Sequence, residues 1–202
     1  IRDTLLNKIP GDFDVTTNAL PEEIEVVFND KKTIDVGKKY GTIIVNIDKD
    51  DVEITTFRTE GDYVDGRRPE WVEFVSSIEK DLSRRDFTIN AMAYNKKKGL
   101  VDPFNGVKDI NERIIRCVGD PEERFHEDYL RILRAIRFSS VLDFQIEEDT
   151  FLAGKKYSKY VSKVSMERIN KELVKILLCD TPSKGIRLLE EVELIPIILP
   201  EF

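Results

Sequence analysis

The run GDFDVTTNA, Gly11 to Ala19, carries two aspartates one residue apart. β-Branched Val15, Thr16 and Thr17 after a turn-forming glycine predict a strand. Side chains two apart on a strand point the same way. Asp12 and Asp14 therefore share a face, with Phe13 and Val15 expected to turn the other way, into a core. Carboxylates this close repel, raising the pKa of at least one unless a cation compensates. A hard divalent ion such as Mg2+ takes oxygen ligands and supplies that compensation. Taken alone, the pair fits a solvated strand face as well. In DVEITTF, a second β-rich run, Val52, Ile54 and Thr56 share one face while Glu53 and Thr55 share the other. With the two strands side by side, three carboxylates converge, a set able to hold two metal ions for phosphoryl transfer. Asp12, Asp14 and Glu53 are the candidate catalytic residues, and Asp12 and Asp14 the candidate metal ligands.

A second pattern lies in HEDYLRILRAIRF, where Asp128, Arg131, Arg134 and Arg137 recur every third residue. On a helix this is a drifting polar stripe among apolar neighbours. Such a helix is largely buried, so the stripe needs partners. An intrahelical Asp–Arg pair plus salt bridges to nearby acids would satisfy it. A sharper reading uses hydrogen-bond chemistry: ionised aspartate only accepts and arginine only donates. Side by side they match an amino donor next to a ring-nitrogen acceptor, the edge that cytosine and adenine share. Uracil and guanine would oppose buried polar groups there. Asp128 and Arg131 could thus select C and A with no nucleic-acid template. In RRDFTINA, Arg84 and Arg85 suit a polyphosphate. Asp86 and Asn90, on one face if the segment is helical, suit ribose hydroxyls; a helix cap with surface charges would use the same residues.

These residues must be positioned by a mixed scaffold. LPEEIEVVF predicts a helix with Pro21 at its start and acids in its first turn. GTIIVNI and VEITTF predict a hairpin across DKDD, and WVEFV another strand. EGDYVDGRRPEW, with no period, predicts a flexible loop, and RRDFTINAMAYN opens or leads into a helix. From about Asp120 the pattern turns helical throughout, with Ser165 as one expected cap and Thr181–Pro182 as another helix start. The outcome is a mixed strand–helix part followed by an all-helical one.

Composition narrows the chemistry. With 202 residues the chain is long enough for one or two domains. The two cysteines stand in no metal-ligand spacing and His126 is the only histidine, which leaves no basis for a zinc site or a Ser–His–Asp triad. No apolar run reaches bilayer-spanning length, and IRDTLLNKIPG lacks a signal-peptide pattern, so a reduced, cytoplasmic setting without membrane contact is expected. The net charge of −7 opposes a broad nucleic-acid surface, yet basic clusters such as LRILRAIRF and GKKYSKYVSK allow phosphate binding at particular places.

Together the stretches RDTLLNKIPGDFDVTTNALPEEI, VEITTFR, RRDFTINAMAYN, DPFNGVKDINERIIRCVGDPEERFHEDYLRILRAIRF and SMERINKEL resemble the tRNA nucleotidyltransferase family. This is the family of CCA-adding enzymes and bacterial poly(A) polymerases, within the polymerase-β superfamily. The resemblance implies an α+β fold: a nucleotidyltransferase head with a small mixed sheet over residues 1–118, then a helical neck over 119–202. It implies catalytic metal, Mg2+, on Asp12 and Asp14, with Glu53 as third carboxylate. It places Arg84, Arg85, Asp86 and Asn90 against the nucleotide's ribose and phosphates, and Arg2 as a phosphate contact. Asp128 and Arg131, in an E-D-x-x-R pattern from Glu127, would read the incoming CTP or ATP base, with Arg134 and Arg137 completing the nucleotide-binding stripe. The expected partners are the tRNA 3′ end, CTP and ATP, in an oligomeric state the sequence leaves open. Family members carry a Gly-Gly segment just before the R-D stretch and extend beyond the neck, so this chain is expected to be a fragment. Poly(A) polymerase or A-adding activity uses the same motifs, and a silent nucleotide- or RNA-binding fragment is the alternative of another class.

Overall fold

The computed structural model describes residues 1–11, 13–48, 50–61, 71–199 and 201. Its first half is built on a four-stranded sheet. After a short helix α1 (Arg2–Leu5) come β1 (Asp14–Thr17), α2 (Pro21–Val27), β2 (Thr33–Gly37), β3 (Thr42–Ile47) and β4 (Asp50–Thr56). The spatial order is β1-β4-β3-β2. β1 runs parallel to β4, while β4 with β3 and β3 with β2 are antiparallel, so the sheet is mixed as expected. β3 and β4 form the hairpin that their β-branched runs predict. α2 starts where Pro21 fits its first turn, and the Glu23 carboxylate accepts the Leu20 N–H at 2.7 Å. Ile24 of this helix packs on Ile43, Val45 and Ile54, forming a small core on one sheet face.

The same packing corrects one expectation. Phe13 is 74% exposed and Val15 43%. β1 is an edge strand, paired only with β4 in this sheet, and the Ile24 core lies against the inner strands. Alternation alone therefore placed these two side chains too deep.

β5 (Arg58–Glu60) and β6 (Val72–Phe74) pair antiparallel, confirming a strand in WVEFV. Residues 62–70 of the expected loop EGDYVDGRRPEW lie outside the described residues. α3 (Ile78–Ser83) follows, capped by Ser77, whose hydroxyl accepts the Lys80 N–H at 3.3 Å. This helix ends before the RRD segment rather than within it. Arg84 is its C-cap, and the chain next makes only a 3₁₀ turn over Thr88–Asn90 before β7 (Ala93–Asn95). The expectation that RRDFTINAMAYN opens or leads into a helix is thus corrected to a single 3₁₀ turn followed by a strand, since Phe87 is extended and bridges Cys117 instead. β7 pairs with β8 (Gly99–Val101), and α4 (Gly106–Glu112) leads to β9 (Ile114–Ile115).

Beyond this point the chain is mostly helical: α5 (Pro121–Glu127), α6 (Leu130–Leu142), a short β10 (Gln145–Ile146), α7 (Glu148–Tyr157), a 3₁₀ turn over Ser158–Lys163, α8 (Met166–Leu177), α9 (Pro182–Glu191) and α10 (Ile195–Ile198). Ser165 stands at the N-cap of α8, but its side chain makes no capping bond. One large core runs from Phe87, Ile89 and Ile115 through Phe125, Leu133 and Ile136 to Ile176, Leu189 and Ile198. The RRD segment is therefore fastened to the helices by shared apolar packing.

Gly106 marks the tightest joint in that fastening. A Cβ there would meet the Thr88 carbonyl oxygen at 2.3 Å. Gly106→Ala is expected to destabilise the chain by about 1–3 kcal/mol, as overpacking does. Thermal melting should show a fall of roughly 2–12 °C, at about 2–4 °C per kcal/mol for a chain of this size.

Candidate functional site

Asp14 and Glu53 are direct register partners on the parallel strands β1 and β4. Partners on adjacent strands project to the same face. The two carboxylates thus stand side by side, both on exposed residues, as the sequence pattern requires. Asp12 lies outside the described residues, and among those described no three His, Cys, Asp or Glu side chains gather as a metal cage. The donors present are carboxylate oxygens, the hard ligands that suit a divalent cation such as Mg2+ rather than a soft metal.

A second group forms where the RRD segment meets α6. The Asp86 carboxylate accepts the Phe87 N–H at 2.8 Å and the Asn90 side-chain amide at 3.0 Å. Its other oxygen accepts Arg134 Nε at 2.7 Å. Burial alone would raise its pKa, but the Arg134 guanidinium and the Asn90 hydrogen bond overcome this and hold it below the usual value. Arg2 reaches across from α1 to donate to Asn90 Oδ1 at 2.7 Å. Phe138 lies under three guanidiniums, with Arg137 at 4.0 Å, Arg2 at 5.0 Å and Arg134 at 5.5 Å from its ring centre. Arg137 pairs with Glu172 of α8 at 2.8 Å. Asp86 and Asn90 are thus brought together as expected, through a 3₁₀ turn rather than one face of a helix.

The third group surrounds Asp128, and here a further correction arises. Asp128 is extended, with φ −149° and ψ 104°, and breaks the helix between α5 and α6. Only Arg131, Arg134 and Arg137 lie on one helix. Asp128 is gripped by Arg168 of α8, whose two terminal nitrogens donate at 3.3 and 2.7 Å, and it accepts the Leu130 N–H at 3.0 Å. A carboxylate offers about four lone-pair sites, so three donors leave room for one more. Arg131 pairs with Glu127 and donates to the carbonyls of Arg124 and Arg84, each at 3.1 Å. Its guanidinium therefore joins α5 to the end of α3. A cleft lined by Thr59, Glu60, Ser83, Arg84, Arg124 and Glu127 opens beside it.

The two arginines of the RRD segment differ. Arg84 donates Nε and one terminal nitrogen to Asp81, at 3.1 and 2.8 Å, and the other to Glu60 at 2.8 Å. Arg85 reaches Asp81 only at 3.4 Å, and its Nε is buried without a hydrogen-bond partner among the described residues. Arg85 is thus less committed to carboxylates than Arg84.

Two residues that organise the site received no role from the motifs, although Arg168 stands within the stretch SMERINKEL. Asp81 is fully buried and anchors both arginines. Its spacing of three and four residues ahead of them is a helical pairing signal that could have found it. Arg168 orients Asp128 from 40 residues away, and no local spacing announces it.

A profile of the family described as "Poly A polymerase head domain" matches residues 1–116, and one described as "Probable RNA and SrmB- binding site of polymerase A" matches residues 143–202. The chain is 51% identical over 194 residues to the CCA-adding enzyme of Ligilactobacillus salivarius, covering 96% of this chain and 48% of that protein. To the CCA-adding enzyme of Bacillus subtilis it is 49% identical over 177 residues, covering 88% of this chain and 44% of that protein. The chain spans about half the length of the curated relatives it matches. Among solved structures, it is similar to the Bacillus stearothermophilus CCA-adding enzyme in complex with CTP, with TM-score 0.86 and 43% identity over 96% of this chain and 46% of that one. A Thermotoga maritima CCA-adding enzyme complexed with tRNA(CCA) matches with TM-score 0.81 and 34% identity, over 99% of this chain and 46% of that one.

Proposed function

Because the chain belongs to the poly(A) polymerase head-domain family, that of the tRNA nucleotidyltransferases, we propose that it is the nucleotide-binding and catalytic part of a CCA-adding enzyme. The reaction joins the 3′-hydroxyl of a tRNA to the α-phosphate of CTP or ATP and releases pyrophosphate. The observation that carries this reading is the Asp14–Glu53 register, since it sets two carboxylates side by side on adjacent strands. Residues 1–118 serve as the head and 119–202 as the neck in this proposal, in a cytoplasmic protein. Among the described residues no helix is long and apolar enough to cross a membrane.

Enzymes of this kind generally use a divalent metal, here taken as Mg2+ held by Asp12 and Asp14 with Glu53 beside them. When bound, that ion would offset negative charge on the transferred phosphoryl group. Asp86 and Asn90 receive ribose hydroxyls, and Arg85 and Arg2 supply positive charge for the phosphates. Arg84 acts through Asp81 and Glu60, holding the end of α3 against the hairpin β5–β6. Asp128 accepts the exocyclic amino group of C or A, while Arg131 donates to the neighbouring ring nitrogen. Arg168 and Glu127 fix the angle between those two side chains, so the protein itself acts as the template.

Incubating the intact protein with a tRNA lacking its 3′ end, with CTP and ATP singly and together, tests the reading. Ordered addition of C and then A supports it; A addition alone would move the assignment to an A-adding enzyme or poly(A) polymerase, and nucleotide binding without product to a silent module. In the same assay Asp128→Ala is expected to narrow the preference for CTP over UTP by about tenfold, the cost of an opposed buried polar group. Unchanged rejection of UTP would refute base reading by Asp128.

A further inference from the structure

Phe138 directly follows Arg137 on α6 and is only 7% exposed, yet charge surrounds its ring. The guanidinium carbons of Arg137, Arg2 and Arg134 lie 4.0, 5.0 and 5.5 Å from the ring centre. Phe87 of the RRD segment meets the same ring edge-to-face, at 5.8 Å and 80°. We propose that Phe138 is a positioning residue for the triphosphate of the incoming nucleotide, seating the guanidiniums of Arg2, Arg134 and Arg137 where phosphate oxygens arrive. The inference rests on the nucleotidyltransferase reading.

Core filling alone does not call for three cations around one ring. Burial pushes the Arg137 guanidinium below the usual arginine range, and Arg134 and Arg2 push it the same way, against Glu172 and Asp86. A ring face attracts a guanidinium through its quadrupole and takes up none of its N–H donors. Arg137 shows the consequence. Its Nε lies 2.8 Å from Glu172, but neither atom has a hydrogen-bond partner among the described residues. The ring at 4.0 Å therefore sets the angle of this guanidinium more than the carboxylate does. Arg134 gives Asp86 its Nε and one terminal nitrogen, and Arg2 meets Asp3 and Asn90. A guanidinium has more N–H donors than one carboxylate can take. Arg134 and Arg137 thus keep terminal N–H groups for a further anion, and their planar forks match phosphate oxygens.

The same contacts place these groups beside the nucleotide. Arg134 is bonded to Asp86 and Arg2 to Asn90, the two residues that face the ribose in the proposed function. Phosphates hang on the ribose 5′ carbon, so a ribose held there carries them toward guanidiniums bonded to its own acceptors. Through Phe87, next to Asp86 in the chain, the Phe138 ring also sets the ribose side and the phosphate side at a fixed separation.

Calorimetry of the full chain with inorganic tripolyphosphate, without added metal, reads the guanidiniums directly. Phe138→Leu keeps an apolar filling and removes the ring; it is expected to weaken tripolyphosphate about tenfold, the strength of one partly desolvated cation–π contact. A thermal melt accompanies it, because replacing a buried ring can loosen the fold. Trifluorination of the Phe138 ring keeps its shape and withdraws charge from its face. It is expected to weaken tripolyphosphate several-fold at an unchanged melting temperature, which a packing role would not do. Undiminished binding in either altered chain, or no binding of tripolyphosphate by the unmutated chain, would overturn the proposal. CTP titrations on the same preparations tell that failure from failure of the nucleotidyltransferase reading. Equal CTP binding by all three chains ends the proposal and leaves the reading in place, whereas tripolyphosphate binding with no CTP binding by the unmutated chain ends the reading itself.

Discussion

Asp14→Ala is expected to lower incorporation of C into a tRNA lacking its 3′ end by about 10³-fold, from the loss of several kcal/mol of transition-state stabilisation at a metal-assisted centre. Stability should hardly move. Asp14 is exposed, and its backbone pairing with β4 is indifferent to its side chain. Exposed substitutions of this kind stay within about 0.5 kcal/mol, or about 2 °C in melting temperature for a chain of this length. Removing one of two adjacent negative charges relieves repulsion with Glu53, so a slight rise in melting temperature fits the same account. A single-turnover assay beside a thermal melt checks both halves. Undiminished transfer would remove Asp14 from the catalytic centre, and loss of transfer with a collapsed melt would show a structural role instead.

Asp86→Ala carries the largest stability effect. Its carboxylate is buried and holds Arg134, Asn90 and the Phe87 backbone, so truncation strands three donors. Breaking a buried pair typically costs about 3–5 kcal/mol. The Arg134 side chain is one-third exposed and recovers some hydration, which places the loss near the lower end. At about 3 kcal/mol the melting temperature falls by roughly 6–12 °C. The pH dependence follows from the depressed folded pKa. Asp86 contributes its full stabilisation above the unfolded aspartate value of 3.8 and loses it as pH falls through the lower folded value. The gap in melting temperature between the unmutated chain and Asp86→Ala is therefore constant near neutrality and narrows below pH 3.8. A gap that stayed constant down to the acid transition would mean that the charge of Asp86 is not what stabilises the fold.

Much of the architecture follows from short-range patterns. The two-residue alternation in VEITTF predicts the strand that sets Glu53 apart from Ile54, and the structure puts Asp14 opposite Glu53. The proline at the start of α2 and the apolar run of α6 likewise do locally what their composition dictates. Where local pattern misleads, the cause is specific. The three-residue spacing from Asp128 to Arg137 suggests one helix, but Asp128 turns extended, where its carboxylate caps the Leu130 N–H and receives Arg168. RRDFTINA has helical spacing between Asp86 and Asn90, yet Phe87 is drawn into a bridge with Cys117 and the shared core.

By itself, then, the sequence determined which residue types could do chemistry and which neighbours along the chain share a face. Those properties depend on strand and helix periods, which reach only a few residues. The tertiary structure decided the partners: Arg168 for Asp128 across 40 residues, Arg134 for Asp86 across 48, and Arg2 for Asn90 across 88. It also decided that β1 stands at a sheet edge with Phe13 exposed, and that of the two RRD arginines Arg84 is committed to carboxylates while Arg85 is less so. A side chain's burial and charge pairing depend on what the rest of the chain packs against it, and no periodicity carries that information.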